Sequence, residues 1–175
     1  LEEKKSCCTI YTVDLPTSIA SMGQEAGMGL TDILESVELF EGATPDELTS
    51  LAKVCKDQTF SKGEVITRQG EEGEALYVVC KGFVEVIRSH PSADLEPRTV
   101  VHLGEGQIFG EMALVDHGPR SATIQAASDA TDVLVIHRDD FERLCEENLH
   151  FGFTVMRNIA ADLSFKLRHQ NLTGR

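Results

Sequence analysis

Between residues 31 and 55, TDILESVELFEGATPDELTSLAKVC, apolar side chains recur at helical spacing. Thr44 is placed to cap a helix, with Pro45 at its first position and Glu47 three residues after the cap. Two short helices are therefore predicted before Asp57. The period then changes, and short β-rich segments follow one another: EVITRQG, ALYVVC, FVEVIR, RTVVHL, QIF, SATIQAA and TDVLVIH. Turn signals at Gly63, GEEG, KG, HPSADLEP, GEG and DHG separate them. Many short, evenly spaced strands predict a sandwich or jelly-roll barrel. The stretch CKGF reads as a two-residue hairpin in which Gly82 supplies positive φ. After His137 the helical period returns in RDDFERLCEEN and LHFGFTVMRNIAADLSFKLRHQNL, where Val155, Ile159, Leu163 and Leu167 form one apolar stripe. That stripe needs a partner, either the barrel, as a lid, or a second copy of the helix, as a dimer seam. Residues 1–30, with PTSIASMGQEAGMG, carry little periodicity and read as a linker or poorly ordered arm, leaving residues 31–172 as the domain.

Length and composition narrow the function. The chain has 175 residues and is 41% hydrophobic, enough for one buried core. A net charge of -13, with 16 dispersed Lys and Arg, disfavours nucleic acid as a direct partner. Five cysteines without C-x-x-C spacing fit a reducing compartment, and six scattered histidines give no metal-ligand spacing. No apolar run approaches the roughly 18 residues of a membrane span, and no signal-peptide core is present, so a cytoplasmic location is expected. The first residue is Leu, which points to a fragment or a processed product.

The stretch FGEMALVDHGPRSATI, residues 109–124, concentrates the candidate chemistry. A single helical turn after Gly110 would leave the backbone N–H groups of Met112, Ala113 and Leu114 for an anion. Gly118 and Pro119 would turn the chain so that Arg120 closes on a phosphate from the other side. Glu111 beside a phosphate costs Coulomb energy unless it accepts from a sugar hydroxyl, so the ligand implied is a small phosphorylated sugar derivative. The alternative at this point is that Glu111 and Arg120 simply pair with each other across a surface loop.

The residues FGEMALVDHGPRSAT resemble the phosphate-binding cassette of the cyclic nucleotide-binding domain family. HLGEGQIFGE resembles the family's approach to that cassette, and GEEGEALYVVCKGFVEV its early barrel strands, so the likeness runs through most of residues 35–172. The resemblance implies an eight-stranded jelly roll with N-terminal helices and a C-terminal lid or dimerisation helix. It implies that Gly110 and Glu111 meet the ribose, and that Ala113 offers its amide and Arg120 its guanidinium to the phosphate. Ser121 falls where members differ between alanine, serine and threonine, and the expected ligand is cAMP, with cGMP as the alternative. Gln170 and Asn171 fall where activator-type members contact adenine. Val65 and Val84 have the strand spacing of apolar walls beside a base. Leu103, Ile108 and Leu114 read as core, and Tyr77 and Phe83 as barrel filling.

The function expected is a regulatory module, not an enzyme, that senses cAMP without a cofactor or metal and couples occupancy to its C-terminal helix. Its effector would be a linked or associated domain upstream, and it would form a homodimer through that helix. Two other readings compete. One is a degenerate fold serving only protein contacts, against which Glu111 and Arg120 argue. The other is an activator-type transcription factor without its DNA-binding domain, since residues 35–172 resemble that type and the chain stops at Arg175. A metal-dependent cupin enzyme would need clustered His ligands, and no H-x-H occurs.

Overall fold

A computed structural model describes residues 29–89 and 98–173, so the proposed arm at residues 1–30 lies almost wholly outside the described residues. The chain opens with α1 (Leu30–Ser36), a 3-10 turn (Glu38–Phe40) and α2 (Pro45–Ala52). Eight strands follow: β1 (Lys56–Phe60), β2 (Val65–Thr67), β3 (Ala75–Lys81), β4 (Val84–Arg88), β5 (Arg98–Leu103), β6 (Ile108–Phe109), β7 (Thr123–Ala126) and β8 (Thr131–His137). Helices α3 (Arg138–Glu147) and α4 (Leu149–Thr173) close the domain. The strands form two antiparallel four-stranded sheets of order β1-β8-β3-β6 and β2-β7-β4-β5, the eight-stranded jelly roll that the pattern predicts.

The apolar runs of β3 and β8 are explained by burial on both faces. Leu76, Val78, Leu134 and Ile136 face a helical cluster with Leu34, Phe40, Leu51, Phe141, Phe151, Val155 and Ile159. The alternate positions Ala75, Val79, Val133 and Val135 pack between the sheets with Val84, Phe109 and Ile124. Strand β1 is absent from the sequence-based segments because KDQTF is an edge strand exposed along most of its length. Its pairing with β8, reinforced by Thr59 Oγ1 donating to Asp132 Oδ1 at 2.8 Å, decides its conformation.

Three expectations need correction. CKGF is not a hairpin, because β3 and β4 belong to different sheets and the turn crosses between them. Gly82 still takes φ 79°, and a Cβ there would lie 2.7 Å from Ala130 O, so the crossover itself demands glycine. Phe83 does not fill the barrel but is half exposed, lying over Gly104. The stripe on α4 does not act as one unit: Val155 and Ile159 are buried in the cluster against β3 and β8 and Leu163 packs against it, while Leu167 is exposed.

The predicted cap at α2 forms reciprocally. Thr44 N donates to Glu47 Oε2 at 2.7 Å, and Glu47 N donates to Thr44 Oγ1 at 3.4 Å. His150 Nδ1, in the first turn of α4, lies 2.9 Å from Glu47 Oε1. Burial pushes the Glu47 carboxyl up, but the Thr44 and His150 contacts outweigh it and hold the group below the usual glutamate value. A carboxyl depressed in the folded state adds stability above its unfolded pKa and loses it as the pH falls through the folded one. Thr44→Ala is expected to cost about 1 kcal/mol in urea unfolding at pH 7. Glu47→Gln is expected to lower stability at pH 7 as well, and its deficit against the parent should shrink as the pH drops below about 4.

Candidate functional site

Strand β6 is followed by Gly110, whose φ of 82° is left-handed and turns the chain into a 3-10 helix, Glu111–Leu114. A Cβ at Gly110 would collide with Arg120 Nη1 and lie 2.9 Å from Ala75 O, so the position admits only glycine. The first turn is closed by Ala113 N donating to Gly110 O at 3.2 Å, which engages the amide expected to face phosphate. Met112 is exposed, and Leu114 is buried in the helical cluster as a core residue, in keeping with its core reading.

The cassette is tied to the loop after β2. Arg120 N donates to Glu71 O at 2.8 Å and Gly70 N donates to Arg120 O at 2.9 Å, with an isolated bridge between Glu72 and Pro119. Gly73 lies against this junction: a Cβ there would be 2.8 Å from Ala113 Cβ and 3.3 Å from Gly118 O. Arg138, at the start of α3, donates to Gly73 O and contacts His117 Nδ1, so its guanidinium ties the loop, the cassette tip and α3 together. His117 itself takes a positive φ of 53°.

The Arg120 guanidinium is half-buried, 5.5 Å from the centroid of the Tyr77 ring, and Tyr77 stacks on Phe109 at 4.7 Å. Tyr77 is thus the platform of the guanidinium as well as a barrel residue. Nη1 donates to Gly110 O at 3.4 Å. Burial pulls the Arg120 pKa below the usual arginine value, against the opposing pull of Tyr77 and Glu111, yet the group remains a cation. A pocket of about 180 Å³ opens here, with Ile66, Thr67, Tyr77 and Arg120 in its wall and Glu71, Glu72 and Glu74 around it. A larger cleft of about 390 Å³ lies between α2 and the α3–α4 junction, remote from the cassette.

Glu111, 8% exposed, does not pair with Arg120. Its Oε1 accepts from Lys166 Nζ of α4 at 2.8 Å. The same ammonium lies 2.7 Å from Asp162 Oδ2, a charge contact without hydrogen-bond alignment. Burial alone would lower the Lys166 pKa, but Glu111 and Asp162 outweigh it and hold it above the usual lysine value.

Gly110, Glu111 and Arg120 therefore gather at one place, with Ser121 exposed beside them. Val65 lies half-buried in β2, whereas Val84 is fully buried between the sheets and presents no surface to a base. Gln170 and Asn171 continue α4, and their side chains lie outside the described residues. Sequence reasoning missed Lys166, Arg138 and Gly73. An Asp162–Lys166 spacing of four was the only local sign of Lys166, and it says nothing of a carboxylate 55 residues away.

Residues 57–148 match the family model of the cyclic nucleotide-binding domain. The chain belongs to that family. It is 36% identical over 134 residues to the Cyclic AMP receptor protein of Thermus thermophilus, covering 77% of this chain and 59% of that one. To the cGMP-dependent protein kinase egl-4 of Caenorhabditis elegans it is 32% identical over 123 residues, 70% of this chain and 16% of the kinase. The chain thus spans less than two thirds of either relative. Its fold superposes on the crystal structure of the Thermus thermophilus Catabolite Activator Protein with TM-score 0.68 and 36% identity, covering 77% of this chain and 60% of that one. On the regulatory domain of Toxoplasma gondii PKA with cAMP the TM-score is 0.65 at 28% identity, covering 80% and 49%. Among the described residues, no helix is long and apolar enough to cross a membrane, and no group of three or more His, Cys, Asp or Glu is arranged to hold a metal ion.

Gly73→Ala is expected to force Ala113 and the Gly118 carbonyl apart. Unfolding by urea should show a loss of about 1–3 kcal/mol, the range for overpacking a close contact.

Proposed function

We propose that this domain is a regulatory module that binds cAMP and couples occupancy to the position of α4. The observation that carries this reading is the Lys166–Glu111 hydrogen bond, because the carboxylate expected to accept from the ribose is already held by the helix expected to respond. Lys166 occupies Oε1, so a ribose hydroxyl must share the carboxylate or displace the lysine. In either case nucleotide and helix act on one group, which supplies the differential affinity that a ligand needs to shift a conformational equilibrium. Arg120 then holds the phosphate, with Ser121 and the amides of the 3-10 helix beside it.

The preference for cAMP over cGMP rests on likeness to the Cyclic AMP receptor protein, which matches more of this chain than the cGMP-dependent kinase does. An effector joined upstream is supported by a second attachment of α4. Asn158 Nδ2 donates to both Leu39 O and Glu41 O at 2.9 Å, so a shift of α4 pulls on the N-terminal lead-in.

Calorimetric titration with cAMP and cGMP side by side tests the binding claim. Parent protein should bind cAMP more tightly, and Arg120→Ala should cost about 2–5 kcal/mol of affinity by leaving the phosphate charge to neutral donors. Absence of binding to either nucleotide would refute the reading. Hydrogen exchange tests the coupling: amides of α4 should become more protected on adding cAMP, and Lys166→Met should abolish that response. Unchanged protection of α4 at saturating ligand would remove the coupling.

Pairing of two copies is proposed through a face that shares Leu163 and Leu167 with the Val155 stripe but leaves out its buried members, Val155 and Ile159. Leu149, Phe153, Met156, Ala160, Leu163 and Leu167 alternate in steps of four and three, the spacing of a coiled-coil seam. Leu149 is 80% and Phe153 69% exposed within one chain. Phe153→Glu should convert a dimer into a monomer by light scattering while leaving the fold intact. A parent protein already monomeric at high concentration would discard the seam.

A further inference from the structure

Thr67 is the last residue of β2 and is 7% exposed, and its Oγ1 is buried without a hydrogen-bond partner among the described residues. A buried hydroxyl left unpaired is destabilising, and such groups are uncommon in folded proteins. Its orientation has a backbone cause. In the β2–β7 pairing Val65 lies opposite Gln125 and Thr67 opposite Ile124, so Ile66 is one residue too many. Side chains of a regular strand alternate between faces. The bulge breaks that alternation and re-aims a side chain, so that both Ile66 and Thr67 line the same pocket as Arg120.

We infer that Thr67 Oγ1 is a further ligand contact, donating to a phosphate oxygen of the nucleotide together with Arg120. Three features of the pocket single out that group. The guanidinium is donor-only and the threonine hydroxyl can donate, so what satisfies both is an acceptor oxygen. The oxygen carries negative charge, because it must compensate a half-buried cation whose contact with Gly110 O is long. That charge is small, because Glu71, Glu72 and Glu74 surround the pocket and repel a second one. A cyclic phosphate diester carries a single negative charge.

The inference rests on the nucleotide reading above, and its test separates the two. Thr67→Val keeps the branched shape and removes the hydroxyl, while Thr67→Ser keeps the hydroxyl. Titrated with cAMP and with cGMP, Thr67→Val should bind both about tenfold or more weakly than the parent, by the same factor for each, and Thr67→Ser should stay close to the parent. Without nucleotide, Thr67→Val should melt higher than the parent because the unpaired hydroxyl is gone, and saturating cAMP should narrow or reverse that order. Equal binding by Thr67→Val and the parent overturns this contact alone. A loss confined to one nucleotide moves the hydroxyl to the base and overturns the phosphate assignment. A lower melting temperature for ligand-free Thr67→Val shows that the hydroxyl already had a partner, which overturns it too. Failure of the parent to bind either nucleotide overturns the nucleotide reading and this contact together.

Discussion

A half-buried guanidinium that, among the described residues, has no carboxylate bonded to it sets the geometry of the cassette. Arg120 lies over the Tyr77 ring and reaches the carbonyl of Gly110, and neither contact carries a formal negative charge. A cation taken from water on those terms is held at a cost. Holding it requires close approach of three chain segments, and the two glycines that permit this are those where a Cβ would strike Arg120 or its neighbours, Gly73 and Gly110. The buried acidic side chain of the cassette, Glu111, pairs with Lys166 instead. The guanidinium is thereby left with donors to spend on an incoming anion, which is a different state from the surface ion pair that the spacing of Glu111 and Arg120 also permits.

Helix α4 is attached to the rest of the domain at several points, beginning with His150 on Glu47, and their order along the helix matters. Its N-terminal half is anchored by Phe151, Val155 and Ile159 in the helical core. Asn158 then grips the carbonyls of Leu39 and Glu41, and Lys166 reaches the cassette. Core burial at Val155 and Ile159 is apolar and indifferent to a nucleotide. The Lys166 contact is ionic and partly solvated, so it is the attachment that a ligand's charge and hydroxyls can alter. Coupling energies between sites are of the order of 1–3 kcal/mol, within what one such contact carries. Under the proposed coupling, movement would begin at the cassette end of α4 and be resisted by its buried half.

Where burial shaped the residues, the elements could be read from the chain. Strands β3 and β8 announce themselves because both faces are covered, and the α2 cap because Thr44, Pro45 and Glu47 each have one local role. Strand β1 could not be read, since KDQTF is polar and its conformation comes from pairing with β8 across more than 70 residues of chain. The CKGF turn was legible as a turn, but which strands flank it in space is a property of the sheets. Glu111, Gly110 and Arg120 were legible because glycine, acid and arginine sit close in sequence. Lys166 and Thr67 were not, because a lone lysine on a helix and a threonine in a strand are ordinary residues until the fold brings them to the cassette.

The bulge in β2 shows how a fold brings a side chain into a pocket that no motif records. Without it, Ile66 and Thr67 would face opposite sides of the sheet, and only one of them could share a pocket with Arg120. Ile66 is needed in the cluster between the sheets, where it packs against the buried residues of β3, β4, β7 and β8. A regular strand would then send the Thr67 hydroxyl outward to water, where it has no penalty and no role. The extra residue keeps the apolar contact and brings the hydroxyl inside, where it is unpaired without ligand. An unpaired hydroxyl there destabilises the domain, and under the proposed phosphate contact a bound nucleotide would remove that penalty, adding to the stabilisation that any ligand of the folded state supplies.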